Sequence, residues 1–398
     1  MERGTKAVGK VKVVVTGGGT GGHVYPAIAV ARYLSRAHPG WEVLFIGSAG
    51  GTEADAAGVY GVPFEGIELS GLVGRRALDR PRALYLFARG VFRCRRILGS
   101  FRPMCVVGTG GYAAAPACFA ARTLGVPIIL HEMNYRPGIV TRVLCRGAYA
   151  VAVAHQGTGE SLPGGVNVVV TGVPVRPEME SLANTGRRTE VGREAREVFG
   201  LERGRKTLIV FGGSQGAQAL NEALWEVLPA ISGRGDLQVL HLTGKRAYEE
   251  PRLARVEESL SRERLVYRAV AYVDRMDLVY SVADMAVARS GAGTVAELVA
   301  ASVPSVLVPY PYAAGAHQEG NAELLQREGV AKMIKQDGES ALAAVLEAVR
   351  LMDDEAERSR MGAAFAEARR GSGAEGIAAL IEEIIEEGRE GRENGGES

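Results

Sequence analysis

Cysteine is scarce in this sequence, and the few cysteines show no pairing pattern. Only 4 occur in 398 residues, all of them in the first half, and none forms a C-x-x-C motif. This pattern does not indicate a disulfide framework, so we expect the reduced thiols of a cytoplasmic protein. The 6 histidines form no H-x-H or H-x-x-x-H pair, and no Asp-x-Asp occurs. We therefore expect neither a metal site nor another cofactor.

Long apolar runs and a one-sided overall charge are also lacking. No apolar run reaches the roughly 20 residues that a membrane-spanning helix needs. The opening stretch MERGTKAVGKVKVVV lacks a cleavable signal pattern. A net charge of +1, with few aromatics for stacking, excludes a strongly basic nucleic-acid-binding protein. These gaps predict a cytoplasmic chain that has no nucleic acid among its partners.

What the sequence does contain is a regular alternation of strand-like and helical segments. The length of 398 residues favours two domains, because single cores stop growing near roughly 250–300 residues. Near-continuous Val/Ile/Leu runs separated by helical patterns predict parallel sheets covered on both faces, hence two doubly wound α/β domains. The strand-like runs are VKVVVTG, WEVLFIG, MCVVGTG, VPIILHE, YAVAVA and VNVVVTG in the first half, and KTLIVFGG, LQVLHLTG, LVYRAV, MAVARSG and SVLVPY in the second.

The domain boundary is predicted near Pro177, where VTGVPVRP gives way to a long polar segment. Residues 1–177 then form the first domain and residues 178–370 the second. Residues 371–398 hold a final helix, GAEGIAALIEEIIEEG, which we expect to pack back toward the first domain, followed by a frayed polar tail.

Glycine-rich turns between strand and helix occur twice in each half of the chain. They are TGGGTGGH, GTGGYAAAPA, FGGSQGA and RSGAGTVAEL, named turns 1 to 4 below. Such a turn exposes backbone N–H groups at the positive end of a helix dipole, where phosphate is the usual guest. The structural alternative is that glycine only permits a tight turn. Four turns in corresponding places favour a phosphate-bearing ligand.

Turn 1 also fits the dinucleotide fingerprint, because Gly17, Gly19 and Gly22 satisfy G-x-G-x-x-G. That fingerprint requires an acidic residue at the end of the next strand to hold the ribose. Here the strand WEVLFIGS ends without one, and Glu53 and Asp55 follow inside a predicted helix. A nicotinamide oxidoreductase therefore becomes the minor alternative.

Two polar groups in the second half have both a structural and a functional interpretation. Glu297 lies one helical turn beyond Thr294, which suits a capping box. It equally suits a carboxylate that accepts hydrogen bonds from both ribose hydroxyls of a nucleotide. The amides in HQEGN, Gln318 and Asn321, can grip sugar hydroxyls or remain solvated.

Several segments together resemble the MurG family of N-acetylglucosaminyltransferases. They are TGGGTGGHVYPAIAVA, GGYAAAPACFAARTLGVPIILHEMN, GGSQGAQALN, and RSGAGTVAELVAASVPSVLVPY with HQEGNA, from about Val11 to about Ile334 in the family's order. The resemblance implies a GT-B fold, with two Rossmann-like doubly wound parallel-sheet domains separated by a cleft. It also implies inverting transfer of GlcNAc from UDP-GlcNAc to the C4 hydroxyl of MurNAc in undecaprenyl-diphosphate-MurNAc-pentapeptide.

The resemblance also implies site residues, with the lipid acceptor on the first domain and UDP-GlcNAc on the second. Glu297 takes the ribose, Ser214 to Gly216 face the diphosphate, the backbone of Val273 meets the uracil, and Gln318 contacts the sugar. The implied UDP-GlcNAc set is Thr20, Gly21, Gly22, Asn134, Arg176, Ser214, Gln215, Gly216, Val273, Ala292, Gly293, Thr294, Val295, Ala296, Glu297 and Gln318. The implied acceptor or phosphate contacts are Gly18, Gly19, Gly110, Gly111 and Tyr112.

Inverting transfer needs a general base, and three candidates lie near the turns. His23 closes turn 1, and an imidazole ordinarily titrates near about pH 6.5, which suits the role. The alternative is that His23 caps the turn or contacts the acceptor diphosphate without moving a proton. His131 and Glu132 end a strand and can serve as the base or orient it. Val173, Met133 and His317 depart from the family pattern, but none of the three replaces a charged group.

One segment carries strongly one-sided charge. GLVGRRALDRPRALYLFARGVFRCRRILGSFR holds nine arginines, including Arg75, Arg76, Arg80 and Arg82, against Asp79 as its only acid. Apolar residues lie between them, so we expect a peripheral contact with anionic lipid on the cytoplasmic face of the membrane. The alternative is an ordinary amphipathic helix with solvated arginines.

Two further functions stay open beside the oxidoreductase. Another GT-B enzyme, such as a diacylglycerol glycosyltransferase, would share the Glu297 region and the basic face. A catalytically silent nucleotide-sugar-binding module would share the turns. The GGTGGH and HE-x-N segments favour the MurG family over both.

Overall fold

The computed structural model describes residues 10–19, 21–69, 80–213, 216–313, 316–336, 340–369 and 371–394. The chain divides into two compact units. The first comprises residues 1–176 and 371–398, and the second comprises residues 177–370. The division after Arg176 adjoins the predicted boundary at Pro177.

The first unit is built on a seven-stranded parallel sheet in the order β3-β2-β1-β4-β5-β6-β7. Every run predicted as a strand in this half forms one, and a short additional strand, β3, lies at one edge. The strands are β1 Lys12–Thr16, β2 Glu42–Ser48, β3 Phe64–Ile67, β4 Cys105–Gly108, β5 Ile128–Glu132, β6 Ala150–Val153 and β7 Val168–Val170; the helices are α1 Gly21–Ala37, α2 Thr52–Tyr60, α3 Arg80–Phe101, α4 Ala115–Thr123, α5 Ile139–Leu144, α6 Gln156–Glu160 and α17 Gly373–Asn394.

Alternation along the strands of the first unit sends side chains into two cores. Val13, Val15 and Ile129 pack with α1 and α17 on one face of the sheet. Val14 and Leu130 pack with α3 and α4 on the other face. Both faces are covered, which is why these strands are apolar throughout rather than alternating.

The second unit is built on a six-stranded parallel sheet in the order β10-β9-β8-β11-β12-β13. Its predicted strands are all present, with a short edge strand, β13, in addition. The strands are β8 Lys206–Phe211, β9 Leu237–Leu242, β10 Val266–Val270, β11 Met285–Ala288, β12 Ser305–Leu307 and β13 Ala331–Met333; the helices are α7 Pro177–Ser181, α8 Thr185–Phe199, α9 Gln218–Ile231, α10 Lys245–Tyr248, α11 Pro251–Leu260, α12 Met276–Ser281, α13 Ala292–Ala300, α14 His317–Arg327, α15 Ser340–Asp353 and α16 Glu355–Ala368.

Each sheet has one point where the direction of the strand order reverses. In the first unit it lies between β1 and β4, and in the second between β8 and β11. Open α/β sheets bind their ligands outside the carboxyl ends of the strands at this point. Turns 1 and 2 follow β1 and β4, and turns 3 and 4 follow β8 and β11. All four glycine turns therefore flank a switch point.

No described helix combines the length and the apolar character that crossing a bilayer requires. The four cysteines, Cys94, Cys105, Cys118 and Cys145, are free and buried. Burial raises the thiol pKa of Cys94, Cys105 and Cys118 to about 12, so these thiols stay protonated and unreactive.

Candidate active site

Turns 1 and 2 pack directly on each other at the switch point of the first unit. The Gly18 N–H donates to the Gly110 carbonyl at 3.4 Å. Gly111 has a φ of +75°, and a Cβ there would overlap the Gly18 carbonyl oxygen. The Tyr112 ring lies against Gly19, where a Cβ would clash with it. The structure thus brings together all five residues expected to contact the acceptor.

His23 lies in the first turn of α1, beneath these glycines. Its Nδ1 is 2.9 Å from the Thr109 carbonyl oxygen, and Thr109 Oγ1 donates back to the His23 carbonyl at 2.8 Å. A ring nitrogen facing a carbonyl must carry the proton, so the lone pair of the neutral ring resides on Nε2. The ring also packs on Gly110 and Gly111. Its tautomer and position are both fixed.

His131 lies at the end of β5 and is fully buried. Its Nε2 donates to the Gly172 carbonyl at 3.0 Å. Burial lowers the pKa of this imidazole to about 4, so it is neutral and a weak base near neutral pH. The geometry gives His131 a structural place beside the site and does not favour it as the base.

Glu132 holds the loop that follows β5 through hydrogen bonds. Its Oε1 accepts from the Asn134 backbone N–H at 3.0 Å and from Asn134 Nδ2 at 3.1 Å. Its Oε2 accepts from the Gly138 N–H at 2.8 Å and from Thr141 Oγ1 at 2.7 Å. Four donors hold this buried carboxylate, so it orients the Asn134 amide and the start of α5.

Arg176, the last residue of the first unit before the chain crosses over, is buried. Its guanidinium lies 4.6 Å from the centre of the Tyr25 ring and Nη1 donates to Tyr60 Oη at 3.3 Å. Stacking on Tyr25 and the bond to Tyr60 fix the plane of the guanidinium, a group whose geometry can pair two oxygens at once.

Sequence reasoning missed Glu53 as part of the site. The residue does lie in a helix, α2, as predicted, yet its buried carboxylate reaches back to turn 1 and accepts from the Gly19 N–H at 2.8 Å. Side chains at Gly18 or Gly51 would overlap it. The available signal was an acid soon after the second strand, displaced from the position that a dinucleotide fold uses.

In the second unit, the capping-box interpretation of Thr294 and Glu297 is wrong. Helix α13 begins at Ala292 with Gly291 as its N-cap residue, so Thr294 is already the third helical residue. Gly291 takes the cap because its backbone is extended, with φ −61° and ψ 143°. Glu297 is half-buried, and its Oε2 accepts from Tyr280 Oη at 3.1 Å. Its carboxylate is therefore set by a tertiary contact.

Gln318 and Asn321, on α14, turn out to differ in role. Gln318 Oε1 accepts from the Tyr310 backbone N–H at 2.9 Å, which fixes the orientation of its amide. Asn321 is buried and donates to the Ser290 carbonyl at 3.1 Å, and Ser290 Oγ donates to the Gln318 carbonyl at 2.8 Å. Asn321 thus fastens α14 to turn 4.

The remaining predicted donor residues lie at three places in the second unit. Gly216, with φ +74°, brings turn 3 so close to the Thr243 carbonyl that a Cβ would overlap it. Val273 is half-buried in the loop before α12. At the start of α13, Ala292 and Val295 are buried, whereas Gly293, Thr294 and Ala296 are partly exposed. In the first unit, Gly21 and Gly22 open α1.

Several predicted residues lie outside the part that the structure describes. They are Thr20, Ser214, Gln215, Arg75 and Arg76, together with the side chain of Arg80. Among the described residues, no group of three or more His, Cys, Asp or Glu side chains is arranged to hold a metal ion.

Helix α3 carries the described part of the basic segment and has two faces. Ala83, Cys94 and Leu98 are buried in the first unit. Leu84, Tyr85 and Phe92 are 63%, 65% and 64% exposed. Farther along the helix, Arg89 pairs with Glu68 at 3.1 Å and Arg93 with Glu65 at 3.4 Å. Acidic side chains of β3 and of the residue after it therefore neutralise at least these two arginines of α3.

Known proteins resemble this chain over most of its length. The model of the glycosyltransferase family 28 N-terminal domain matches residues 13–153, and that of the family's C-terminal domain matches residues 207–375. A Moorella thermoacetica protein named UDP-N-acetylglucosamine--N-acetylmuramyl-(pentapeptide) pyrophosphoryl-undecaprenol N-acetylglucosamine transferase is 39% identical over 81% of this chain and 85% of its own. A Listeria welshimeri protein of the same name is 35% identical over 94% of this chain and 99% of its own.

A solved structure agrees with the family models and with the named relatives. The crystal structure of Acinetobacter baumannii MurG has a TM-score of 0.67 at 26% identity, covering 94% of this chain and 99% of that one. Two Rossmann-like parallel-sheet units, the two family models and the MurG structure together place the protein in the GT-B class of glycosyltransferases, as the resemblance implied. The N-terminal domain match lies within the first unit, and the C-terminal domain match covers most of the second unit and ends at residue 375, just past it. The chain belongs to glycosyltransferase family 28, in the MurG group.

Proposed function

We propose that the protein transfers GlcNAc from UDP-GlcNAc to the C4 hydroxyl of MurNAc in undecaprenyl-diphosphate-MurNAc-pentapeptide, with inversion at the anomeric carbon. The observation that carries the proposal is the match to relatives named for this transfer, which extends over 94% of this chain and 99% of the Listeria welshimeri protein. The polar groups that lie at each switch point are of the types that this transfer requires.

The donor is assigned to the second unit. Glu297 presents a carboxylate for the ribose hydroxyls, and the N-terminus of α13 offers backbone N–H groups to the diphosphate. Gln318 Nε2 is the donor for a sugar hydroxyl, because Oε1 of the same amide is held by Tyr310. The uracil meets the loop around Val273.

The base is assigned to His23 Nε2. Thr109 fixes the Nδ1–H tautomer, so the acceptor C4 hydroxyl can pass its proton to Nε2 while its oxygen attacks the anomeric carbon. The bond from that carbon to UDP breaks, and the diphosphate leaves as an anion. Burial and a pKa of about 4 make His131 the poorer candidate, and four donors already occupy Glu132.

We assign the stabilisation of the charge on the departing diphosphate to helix N-termini and to Arg176. A guanidinium held by Tyr25 and Tyr60 can pair two phosphate oxygens at once. Fixed dipoles and a fixed cation stabilise such an anion without reorganising during the reaction. We therefore propose transfer without a metal cofactor.

The acceptor's lipid makes α3 the proposed membrane contact. Leu84, Tyr85 and Phe92 give an apolar surface, and the basic residues Arg75, Arg76, Arg80 and Arg82 would meet anionic headgroups at about 1 kcal/mol each. This contact would hold the enzyme at the cytoplasmic face.

The test of the reaction is transfer to a fluorescent polyprenyl-diphosphate-MurNAc-peptide with UDP-GlcNAc, UDP-glucose or UDP-galactose as donor. We expect GlcNAc transfer with release of one UDP per product. Transfer of glucose to diacylglycerol under the same conditions would instead support the other GT-B enzyme. Absence of UDP release with every donor would support a silent binding module.

The test of the membrane contact is cosedimentation with phosphatidylglycerol vesicles at physiological salt. Glutamate at Arg75, Arg76, Arg80 and Arg82 should release the protein, because four attractive charges become repulsive. A control that places glutamate at the exposed Arg203 and Arg262 of the second unit should leave binding unchanged. Retention of the fourfold variant would contradict the proposal.

A further inference from the structure

Glu297 needs support to act as a ribose ligand, because a glutamate on a helix surface has several rotatable bonds. Left alone, its carboxylate samples many directions, and each must be frozen when a ligand binds. In this structure Oε2 accepts a hydrogen bond from Tyr280 Oη at 3.1 Å. The neighbouring Thr294 supplies no capping partner, since the helix begins at Ala292.

Tyr280 is itself held rigidly. It lies on α12 and is fully buried. Its ring packs edge-to-face against Phe211, with centroids 6.0 Å apart and planes inclined by 71°. Phe211 is the last residue of β8 and the first residue of turn 3. The hydroxyl of Tyr280 therefore has a fixed position relative to both turn 3 and turn 4.

Arg188 fastens the helix of Tyr280 to the helix of Glu297. From α8, its guanidinium donates to the Tyr280 carbonyl at 3.3 Å, to the Ala283 carbonyl at 3.0 Å, and to the Ala301 carbonyl. The first two carbonyls are at the end of α12 and the third follows α13. This half-buried cation bonds to carbonyls at the C-terminal ends of two helices, where its charge matches the helix dipoles.

From these contacts we infer that Tyr280 is a positioning residue that sets the Glu297 carboxylate for the vicinal hydroxyls of a nucleoside ribose, with Arg188 fixing the spacing of the two helices. The inference rests on the proposed function, since it concerns how the donor nucleotide is recognised. One carboxylate oxygen is anchored by Tyr280, so the group faces the ligand in a single orientation. Loss of the hydroxyl should weaken binding of a ribonucleotide more than that of its deoxy analogue.

The test compares UDP with 2′-deoxy-UDP by titration calorimetry on the whole protein. Tyr280→Phe removes only the hydroxyl and keeps the ring against Phe211. We expect the wild type to prefer UDP, and Tyr280→Phe to weaken UDP binding about tenfold, as expected for one bond to a charged group. The preference for UDP over 2′-deoxy-UDP should shrink at the same time. In turnover, the donor KM should rise while kcat stays unchanged.

Two backgrounds separate positioning from a general structural effect. In a Glu297→Ala protein, Tyr280→Phe should cause no further loss of UDP affinity, because Tyr280 acts through that carboxylate. Tyr267→Phe is the matched control, since Tyr267 is another buried tyrosine of this unit, and its hydroxyl bonds to His241 at 2.8 Å. It should leave the ratio of UDP to 2′-deoxy-UDP affinity unchanged.

Three results would overturn the inference. Equal weakening of UDP and 2′-deoxy-UDP by Tyr280→Phe would show that the hydroxyl does not act on the ribose. An undiminished effect in the Glu297→Ala background would show that it does not act through Glu297. A wild-type protein that binds no UDP would remove the proposed function together with the inference, whereas the first two results leave that function intact.

Discussion

Acid should destabilise the second unit because its core encloses a neutral histidine. His241 is fully buried on β9; its Nε2 lies 2.9 Å from Asn221 Oδ1 and its Nδ1 lies 2.8 Å from Tyr267 Oη. Asn221 Nδ2 donates to the Thr243 carbonyl, which leaves Oδ1 as acceptor, so Nε2 carries the proton and Nδ1 accepts. Burial lowers the pKa of this histidine to about 3.

The sign and size of this pH effect on the free energy of unfolding follow from proton linkage. In the unfolded chain this histidine is protonated below its ordinary pKa of about 6.5. In the folded unit it stays neutral down to about pH 3. The stabilisation is complete above pH 6.5 and is lost as the pH falls through that window. Each pH unit corresponds to about 1.36 kcal/mol, so acidification to pH 5 removes about 2 kcal/mol of the free energy of unfolding.

The chain offers a clean assay because each unit contains one of its 2 tryptophans. Trp225 lies beside the network and donates to Tyr267 Oη at 3.2 Å, whereas Trp41 belongs to the first unit. In a Trp41→Phe protein, urea unfolding followed by tryptophan fluorescence at pH 7, 6 and 5 reports the second unit. His241→Gln, which forms hydrogen bonds but does not titrate, should be less stable at pH 7 yet lose less stability on acidification.

The refuting result is equal pH dependence with and without His241. In that case other groups would cause the acid sensitivity of the second unit. A Trp225→Phe protein, in which Trp41 reports the first unit, should show no effect of His241→Gln and serves as the control.

Three further predictions concern the proposed reaction. His23→Ala should lower kcat by about 10²–10⁴-fold with donor KM nearly unchanged, as expected for loss of a general base; unaltered kcat in steady-state assays would remove His23 from that role. Gly111→Ala should abolish transfer and lower the Tm in a thermal melt, because a methyl group would overlap the Gly18 carbonyl, and wild-type activity would refute the packing of the two turns. Excess EDTA should leave the transfer rate unchanged, because fixed dipoles and Arg176, rather than a metal ion, are proposed to stabilise the charge on the departing diphosphate. Loss of activity in EDTA that Mg²⁺ restores would contradict this.

The architecture was predictable because strand identity in this chain is decided by hydrophobicity over short windows. The long Val/Ile/Leu runs all form strands, and their glycine turns fall at the two switch points. The edge strands β3 and β13 escaped prediction for a physical reason. The sequences FEGI and AKM have no strong strand preference, and their extended form depends on pairing with β2 and β12.

The sequence located the residues that lie around the glycine turns, but it could not predict how their side chains are held. His131 and Glu132 are adjacent in sequence and equally suited to proton transfer by residue type. They differ in their surroundings, since burial lowers the pKa of His131 to about 4 whereas four hydrogen-bond donors hold the Glu132 carboxylate, and neither property is local. Glu53 reaches turn 1 across 34 residues, and Tyr280 reaches Glu297 from another helix. The capping box failed because Gly291, not Thr294, has the extended backbone that starts α13.

Helix α17 has a consequence for how the protein is made. Its Ile377, Ile381 and Ile384 complete a core whose other members, such as Val13 and Ile28, are translated more than 300 residues earlier. Domains usually fold in the order of synthesis. Here the second unit is uninterrupted in sequence and can finish first, while the first unit must wait on the ribosome with an apolar face exposed. Chaperone demand should therefore fall on the part of the chain that is synthesised earliest.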